Sequence, residues 1–371
     1  MKNTNRVIIK DQLNRREFLR MVGLASASAG VSLLLNSCAP AAAPTPAAAE
    51  VSLGMVDTSK YKKEPPWKMA RSGMGEVNSW QVIATVHFDY YVRTKYKDLF
   101  SEVNTLAATF DPVKQVSDME DLLTKNPDIM IVHPVTGGNI VAQIEQAMSR
   151  DIPVILFGAR AYTDKYVSYH DRDNAGVGRI YADYICKKIG GKGNVAVMMG
   201  LAGNTYAEDV LRGVREGMAK YPDVKEAALG YGVWSPVEGK TAMEGMLASA
   251  DQIDGIINDG GNMGIGIVDA YMDAGKPFPP MCGDDGNGWL RKAKENKISF
   301  LACQGGAEQM ADAVEFAVKT LKGEPVARDV LAPIQTFDET QIDKFYRPEL
   351  NDQYWAINKL PEEVILEKYK T

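Results

Sequence analysis

The sequence predicts an α/β protein of two lobes, each built on a parallel sheet with helices on both faces. Short runs such as Asp128 to Val132 (DIMIV) and Ile152 to Phe157 (IPVILF) are apolar throughout, as strands covered on both faces are. Each such run neighbours a stretch of helical period, and strands alternating with helices imply parallel pairing. The alternation is interrupted by a polar, aromatic stretch at Arg160 to Asp173 and then resumes, which separates two lobes.

In chain order, Val51 to Val56 reads as a short strand, and the Lys-, Pro- and Gly-rich stretch Tyr61 to Val77 as irregular. Asn78-Ser79-Trp80 opens a helix with apolar positions Val82, Ile83, Val86 and Tyr90, capped by Asn78 or Ser79. A strand at Val103 to Phe110 meets Asp111-Pro112, a cap and first-turn proline for a helix through Met119 and Leu122 to Asn126. His133-Pro134 ends the DIMIV strand, and a helix from Asn139 to Ser149 leads into IPVILF. The second series starts with the helix Asn174 to Gly190. Strands follow at Asn194 to Met199, Ala227 to Tyr231, Asp254 to Asn258 and Met281 to Gly283, with helices at Tyr206 to Tyr221, Gly239 to Ala250 and Gly264 to Ala274. Ile298 to Cys303 precedes a helix from Ala307 to Leu321, closed by Lys322-Gly323-Glu324-Pro325. Val330 to Phe337 is a connecting or edge strand. Tyr346, Tyr354 and Trp355 in the tail read as docking residues rather than a ligand site.

Parallel sheets of this kind bind ligands beyond the C-terminal ends of their strands, where His133, Gly158 and Arg160 fall. His133 is therefore a candidate ligand contact, with shaping of the turn before Pro134 as its alternative.

The 371 residues carry a formal charge of −6. Residues 1–37 hold six Lys or Arg and two Asp or Glu, a charge of +4, so −10 falls on the remainder. That balance argues against a nucleic-acid partner, which needs a basic footprint. Cys186, Cys282 and Cys303 form no CxxC pair and read as structural thiols, although Cys282 and Cys303 could meet across adjacent strands. Three scattered histidines give no metal spacing, and GxxxxGK[ST] is absent.

Asn14 to Cys38, NRREFLRMVGLASASAGVSLLLNSC, joins the pair Arg15-Arg16 to an apolar run and a cysteine. It resembles twin-arginine export signals joined to a bacterial lipobox, an address removed before the fold is read. The resemblance implies an export signal at 1–37, lipid on Cys38 and attachment to the bilayer. The Ala- and Pro-rich stretch to residue 49 reads as a flexible linker.

From Val51 to about Glu324 the order of motifs is similar to the periplasmic sugar-binding proteins of bacterial ABC importers, specifically the ribose-binding-like type I family. PDIMIVHP, IPVILF, RDNAGVGRIYADYICKKIGGKGNVAVMMGLAGN, DGIIND, GDDGN and LACQ carry the resemblance together. It implies two Rossmann-like lobes joined by a three-crossover hinge near 169–171, 304–306 and 326–330. The N-terminal lobe would be 50–169 plus 306–326, and the C-terminal lobe 171–304 plus 330–371.

The resemblance also implies site residues. Trp80 would stack on the apolar face of a sugar, with Asn78 and Ser79 reaching hydroxyls; the alternative for Trp80 is the core. The family's Asp-Arg pair is altered to Gly158-Ala159-Arg160, from which Arg160 carries over. Glu208 falls where relatives place an arginine, with Asn204 and Tyr206 able to compensate. The family's ligand asparagine falls on Gly260, leaving Asp259 and Asn262 as candidates. Asp285 matches an acidic sugar ligand or caps the next helix, and Gln304 matches a hinge glutamine.

The expected function is capture of a monosaccharide, sugar alcohol or similar neutral solute, by a monomer that delivers it to an ABC permease, without catalysis or cofactor. A sensory protein presenting the solute to a membrane receptor is the second reading. A secreted carbohydrate-processing enzyme is the third: the pair Asp284-Asp285 invites it, but no accompanying nucleophile or acid/base set supports it.

Overall fold

The structure is a computed structural model that describes residues 51–371. The expected export signal, linker and lipidated Cys38 lie outside the described residues.

In the first lobe the strands are β1 (Val51–Val56), β2 (Trp67–Gly73), β3 (Phe100–Ala107), β4 (Ile129–Val132), β5 (Val154–Phe157) and β6 (Ser168–Arg172). Helices α1 (Ser79–Tyr90), α2 (Pro112–Thr124) and α3 (Val141–Ser149) join them. The second lobe runs through α4 (Asn174–Lys188), β7 (Lys192–Met199), α5 (Thr205–Met218), β8 (Asp223–Tyr231), α6 (Pro236–Ser249) and β9 (Gly255–Asn258). It continues with α7 (Gly261–Asp273), β10 (Met281–Gly283), α8 (Asn287–Glu295) and β11 (Phe300–Cys303). Then come α9 (Gln309–Lys322), β12 (Val326–Ala332), β13 (Thr336–Asp338) and α10 (Glu362–Tyr369).

The first sheet has the order β1-β12-β6-β5-β4-β2-β3, parallel except for β1 against β12. The second has the order β13-β11-β10-β9-β7-β8, parallel except for β13. Two parallel-dominated α/β lobes are thus present, as the periodicity requires. The chain passes between them after Arg172, after Cys303 and after Ala332. The third passage falls later than 326–330, because β12 pairs with β6 through Ala332.

Two strands hide behind polar residues. β2 lies in the stretch read as irregular, where Lys68, Arg71 and Ser72 break the apolar run. Arg71 is buried all the same: its guanidinium sits 4.8 Å from the Phe88 ring centroid and donates to Thr85 Oγ1. β6 comes from the interruption at 160–173, and all five of its residues are buried. Ser168 Oγ donates to Ala327 O at 2.7 Å, and Tyr169 OH and Asn174 Nδ2 donate to Asp171. Buried polar groups are tolerated when partnered in this way.

β3 begins and ends three residues before the expected strand. Thr109 and Phe110 adopt left-handed φ values of 51° and 64°, turning the chain so that Asp111 can cap α2. Cys282 and Cys303 lie on adjacent strands, but Cys282 is in register with Leu301. Both are buried free thiols, as is Cys186.

The tail departs from an assignment of 330–371 wholly to the second lobe. Phe337 and Ile342 enter the core of the second sheet, whereas Tyr354, Trp355, Leu360, Ile365 and Tyr369 join the first-lobe core around Trp67 and Ile83. A stretch of only 46 residues from Val326 thus serves both lobes.

Helices α4 and α5 approach so closely that a Cβ at Gly213 would overlap the Ala175 carbonyl oxygen. Gly213→Ala is expected to cost about 1–3 kcal/mol through overpacking, read as a lower urea midpoint with unchanged slope; an unchanged midpoint would refute this packing account.

Candidate functional site

The strands of both sheets point their C-terminal ends at one cleft, with about 640 Å³ of atom-free space, part of it continuous with solvent at the mouth. The Asn78 side chain accepts from Gln81 N and caps α1, which sets Trp80 in the first turn at the cleft wall. Trp80 stacks on Phe157 at 5.3 Å and 17°, and its Nε1 donates to Gly305 O at 2.8 Å. His133 from the end of β4 packs against it, with ring centroids 5.5 Å apart. Burial and the Arg71 charge lower the His133 pKa to about 3, so the ring is neutral. The Gln81 side-chain amide lies 3.4 Å from its Nδ1.

The facing wall comes from the second lobe. Trp234 follows β8 in the left-handed region, φ 50°, and its Nε1 donates to Asp259 Oδ1 at 3.0 Å. A Cβ on Gly200 would overlap the Trp234 ring, so this glycine makes room for the indole. Tyr206 OH donates to Asp259 O at 2.9 Å and Tyr181 OH to Gly283 O at 2.5 Å. Trp355 from the tail is the third tryptophan of the lining. The polar ends of these aromatics are spent on the protein, which holds their rings in place.

Arg172, the last residue of β6, is the exception. It is 5% exposed and lines the cleft, and its side chain makes no hydrogen bond or ion pair to protein among the described residues. Its Nε is buried without a partner, and its guanidinium lies 5.5 Å from the Tyr206 ring centroid. Room for it depends on Gly306, which has φ 82° and whose absent Cβ would stand 3.2 Å from Nε. Burial opposes the charge, but Tyr206 and Asp171 outweigh it and hold the pKa above its ordinary range.

Asp171, Asp259 and Asp284 share this lining. Burial pushes Asp259 and Asp284 up to about 7, although each accepts backbone N–H bonds that work the other way. Asp284 accepts from Gly261 N and Gly286 N. Burial also raises Asp171. The site therefore offers one cation without partners, several acceptors and three indole rings. No group of three or more His, Cys, Asp or Glu that could hold a metal occurs among the described residues.

Of the residues singled out from the sequence, Asn78, Trp80, His133, Asn204, Tyr206, Asp259 and Asn262 line the cleft. Asn204 spends its amide on Pro134 O and Val135 O across the cleft. Ser79 acts as a strut: its Oγ donates to Asn262 Oδ1 and accepts from Trp355 Nε1.

Four others lie outside the lining, engaged elsewhere. Arg160 pairs with Asp329 at 2.9 Å and sits over the Tyr169 ring. Glu208 is exposed and accepts from Tyr162 OH. Both Asp285 carboxylate oxygens are occupied by the Gly305 and Ile357 N–H groups. Gln304 Nε2 donates to Glu308, and the Gln304 backbone N donates to Gln335 O.

Sequence reasoning missed Arg172, Asp284, Trp234 and Trp355. One signal was present: a charged residue ending the polar run that interrupts the sheet pattern. The adjacent Asp284 and Asp285 face different ways, and Asp284 is the one toward the cleft.

The family model described as a periplasmic binding protein domain matches residues 89–325. The chain is 26% identical to a xylitol-binding protein of Mycolicibacterium smegmatis, over 66% of this chain and 72% of that protein. It is 27% identical to the ribose import binding protein RbsB of Escherichia coli, over 58% and 73%. An ABC transporter solute binding protein of Bacillus halodurans with bound myo-inositol superposes with a TM-score of 0.70 at 20% identity, covering 76% of this chain and 99% of that one.

The neutral, buried His133 makes a testable contribution. Between its ordinary pKa of about 6.5 and its folded value of about 3, the unfolded chain takes up a proton that the folded chain refuses. Its contribution is full above about pH 6.5 and lost as pH falls toward 3. Urea titrations of wild type and His133→Leu are expected to show the stability difference falling by about 1.4 kcal/mol per pH unit between 6 and 4. A constant difference would contradict the burial assigned to this ring.

Proposed function

The chain belongs to the periplasmic binding protein family, and from that premise we propose that it captures a neutral polyhydroxylated solute, a monosaccharide or sugar alcohol, and hands it to an ABC permease. The observation that carries the solute class is Arg172. A buried guanidinium without protein acceptors costs several kcal/mol, and its planar fork of donors suits two neighbouring oxygens of one ligand.

Asp171, Asp259 and Asp284 around it disfavour an anionic solute and can accept from hydroxyls, which both donate and accept. The faces of Trp80 and Trp234 suit the CH-rich sides of a polyol. Binding to such a site is orientation and desolvation; no bond need break.

Capture proceeds by closure. Ser79 to Asn262, Asn78 to the Trp234 carbonyl, and Asn204 to the Val135 carbonyl each join one lobe to the other. A solute that bonds groups of both lobes adds to these contacts and shifts the population toward the closed form. The export signal and a lipidated Cys38 belong to the same proposal, since they would hold the receptor at the outer face of the membrane beside its permease. The xylitol- and ribose-binding relatives support the solute class.

The test is a thermal-shift and calorimetric panel of pentoses, hexoses, pentitols and cyclitols. One of these solutes is expected to bind, and Arg172→Met to weaken it by about 100-fold, the scale of two lost charge-assisted hydrogen bonds. Arg172→Lys is expected to recover part of the loss, a point charge replacing a fork. Equal affinity in wild type and Arg172→Met, or binding of sugar acids alone, would refute the reading.

A further inference from the structure

The tail supplies an inference that rests on the reading of the cleft as the solute site. Beyond β13 the chain first holds to the second lobe: Asn287, at the start of α8, donates through Nδ2 to Arg347 O and Leu350 O and through its backbone N to Tyr354 O. Within five residues it is tied to the first lobe, where Lys359 N donates to His87 Nε2 at 3.0 Å. Residues 354–359 therefore cross between the lobes, a fourth passage beside the three of the hinge. This passage lies beyond the stretch matched by the family model, which ends at 325.

Trp355 sits in the middle of the passage. It is 3% exposed, lines the cleft, and donates from Nε1 to Ser79 Oγ at 3.1 Å. Its ring fills the space beside Gly305, where any Cβ would overlap it. Asp285 holds the backbone on either side. Its Oδ1 accepts from Gly305 N at 2.6 Å, its Oδ2 from Ile357 N at 2.7 Å, and its carbonyl from Ala356 N at 3.0 Å. One carboxylate thus ties the tail to the hinge at the point where Trp355 meets the cavity.

We propose that the C-terminal segment is part of the solute site: Trp355 is a specificity-determining wall, and Asp285 is the positioning residue that sets it. An indole at the hinge side limits how far a solute can extend in that direction. The cavity admits a compact ring or short chain, and its length limit is set by the tail rather than by the two lobes alone.

The experiment measures xylitol, D-ribose and myo-inositol binding by calorimetry on the full chain and on Trp355→Ala, Trp355→Phe, Asp285→Ala and Ser79→Ala. In Trp355→Ala the affinity ratio of myo-inositol to xylitol is expected to shift at least fivefold toward the larger ring, and Trp355→Phe to return most of it. Asp285→Ala is expected to move the ratio the same way, to add nothing in the double variant, and to speed amide exchange at Gly305 and Ile357. Ser79→Ala, which removes the acceptor for Nε1 together with the donor to Asn262, is expected to weaken all three solutes through the lost contact between the lobes and to give a smaller shift of the ratio, of the same sign; it covers the case in which Asp285→Ala does not fold. Equal weakening of all three solutes, with the ratio unchanged, overturns the specificity role and leaves the solute reading intact. Failure of wild type to bind any of the three overturns the specificity role, and failure across the whole panel of pentoses, hexoses, pentitols and cyclitols overturns the solute reading with it.

Discussion

The structure depends on a buried charge that has no hydrogen-bonding or ion-pair partner among the described residues. Arg172 ends the interior strand β6 among Asp171, Asp259 and Asp284, yet its guanidinium hydrogen-bonds to none of them. Those carboxylates accept from backbone N–H groups, a tyrosine, an asparagine and a tryptophan instead. The result is a guanidinium neutralised in the aggregate but free to donate. Folding energy spent on holding it there is recoverable when a ligand supplies oxygens, which is how a binding site differs from a core. Gly306 serves the same end, since any side chain at its φ of 82° would be strained and would crowd Nε.

Around this charge the aromatics are fixed rather than mobile. Trp80, Trp234, Tyr181 and Tyr206 each use their polar atom on the protein, so little rotamer freedom remains to be lost on binding. The lobes meet through side chains from helix starts, Asn78 on α1 and Asn204 on α5, whose capping role fixes their position before they reach across. Local capping and closure thus use the same residues. The tail adds a bridge of another kind, with polar anchors in one lobe and apolar side chains in the core of the other.

Much of this was legible in the sequence. Apolar runs such as DIMIV and IPVILF announced buried parallel strands, and the Asp111-Pro112 and Asn78-Ser79 pairs announced helix starts that the structure contains. β2 and β6 were not legible as strands, because their polar residues are paid for by partners distant in sequence: Arg71 by Phe88, Ser168 by the Ala327 carbonyl. The same limit governs the site. Trp80 and His133 follow from strand and helix ends, whereas the choice between Arg160 and Arg172 turns on which neighbour already occupies the side chain, and that between Asp284 and Asp285, each of which accepts a backbone N–H on both oxygens, on which one faces the cleft. Asp329 takes Arg160 and the tail takes Asp285, and neither partner is near in sequence. Trp355 was read as a docking residue, and it does dock; that it also lines the cleft depends on the tail's return path.

The most direct test of the account is a crystal structure of the chain with the solute that it binds most tightly. The account predicts Arg172 nitrogens within hydrogen-bond reach, about 2.7–3.2 Å, of two solute oxygens, with the indole of Trp80 facing the solute's CH groups. A structure in which Arg172 pairs with Asp171 or Asp284 while the solute lies elsewhere would contradict it.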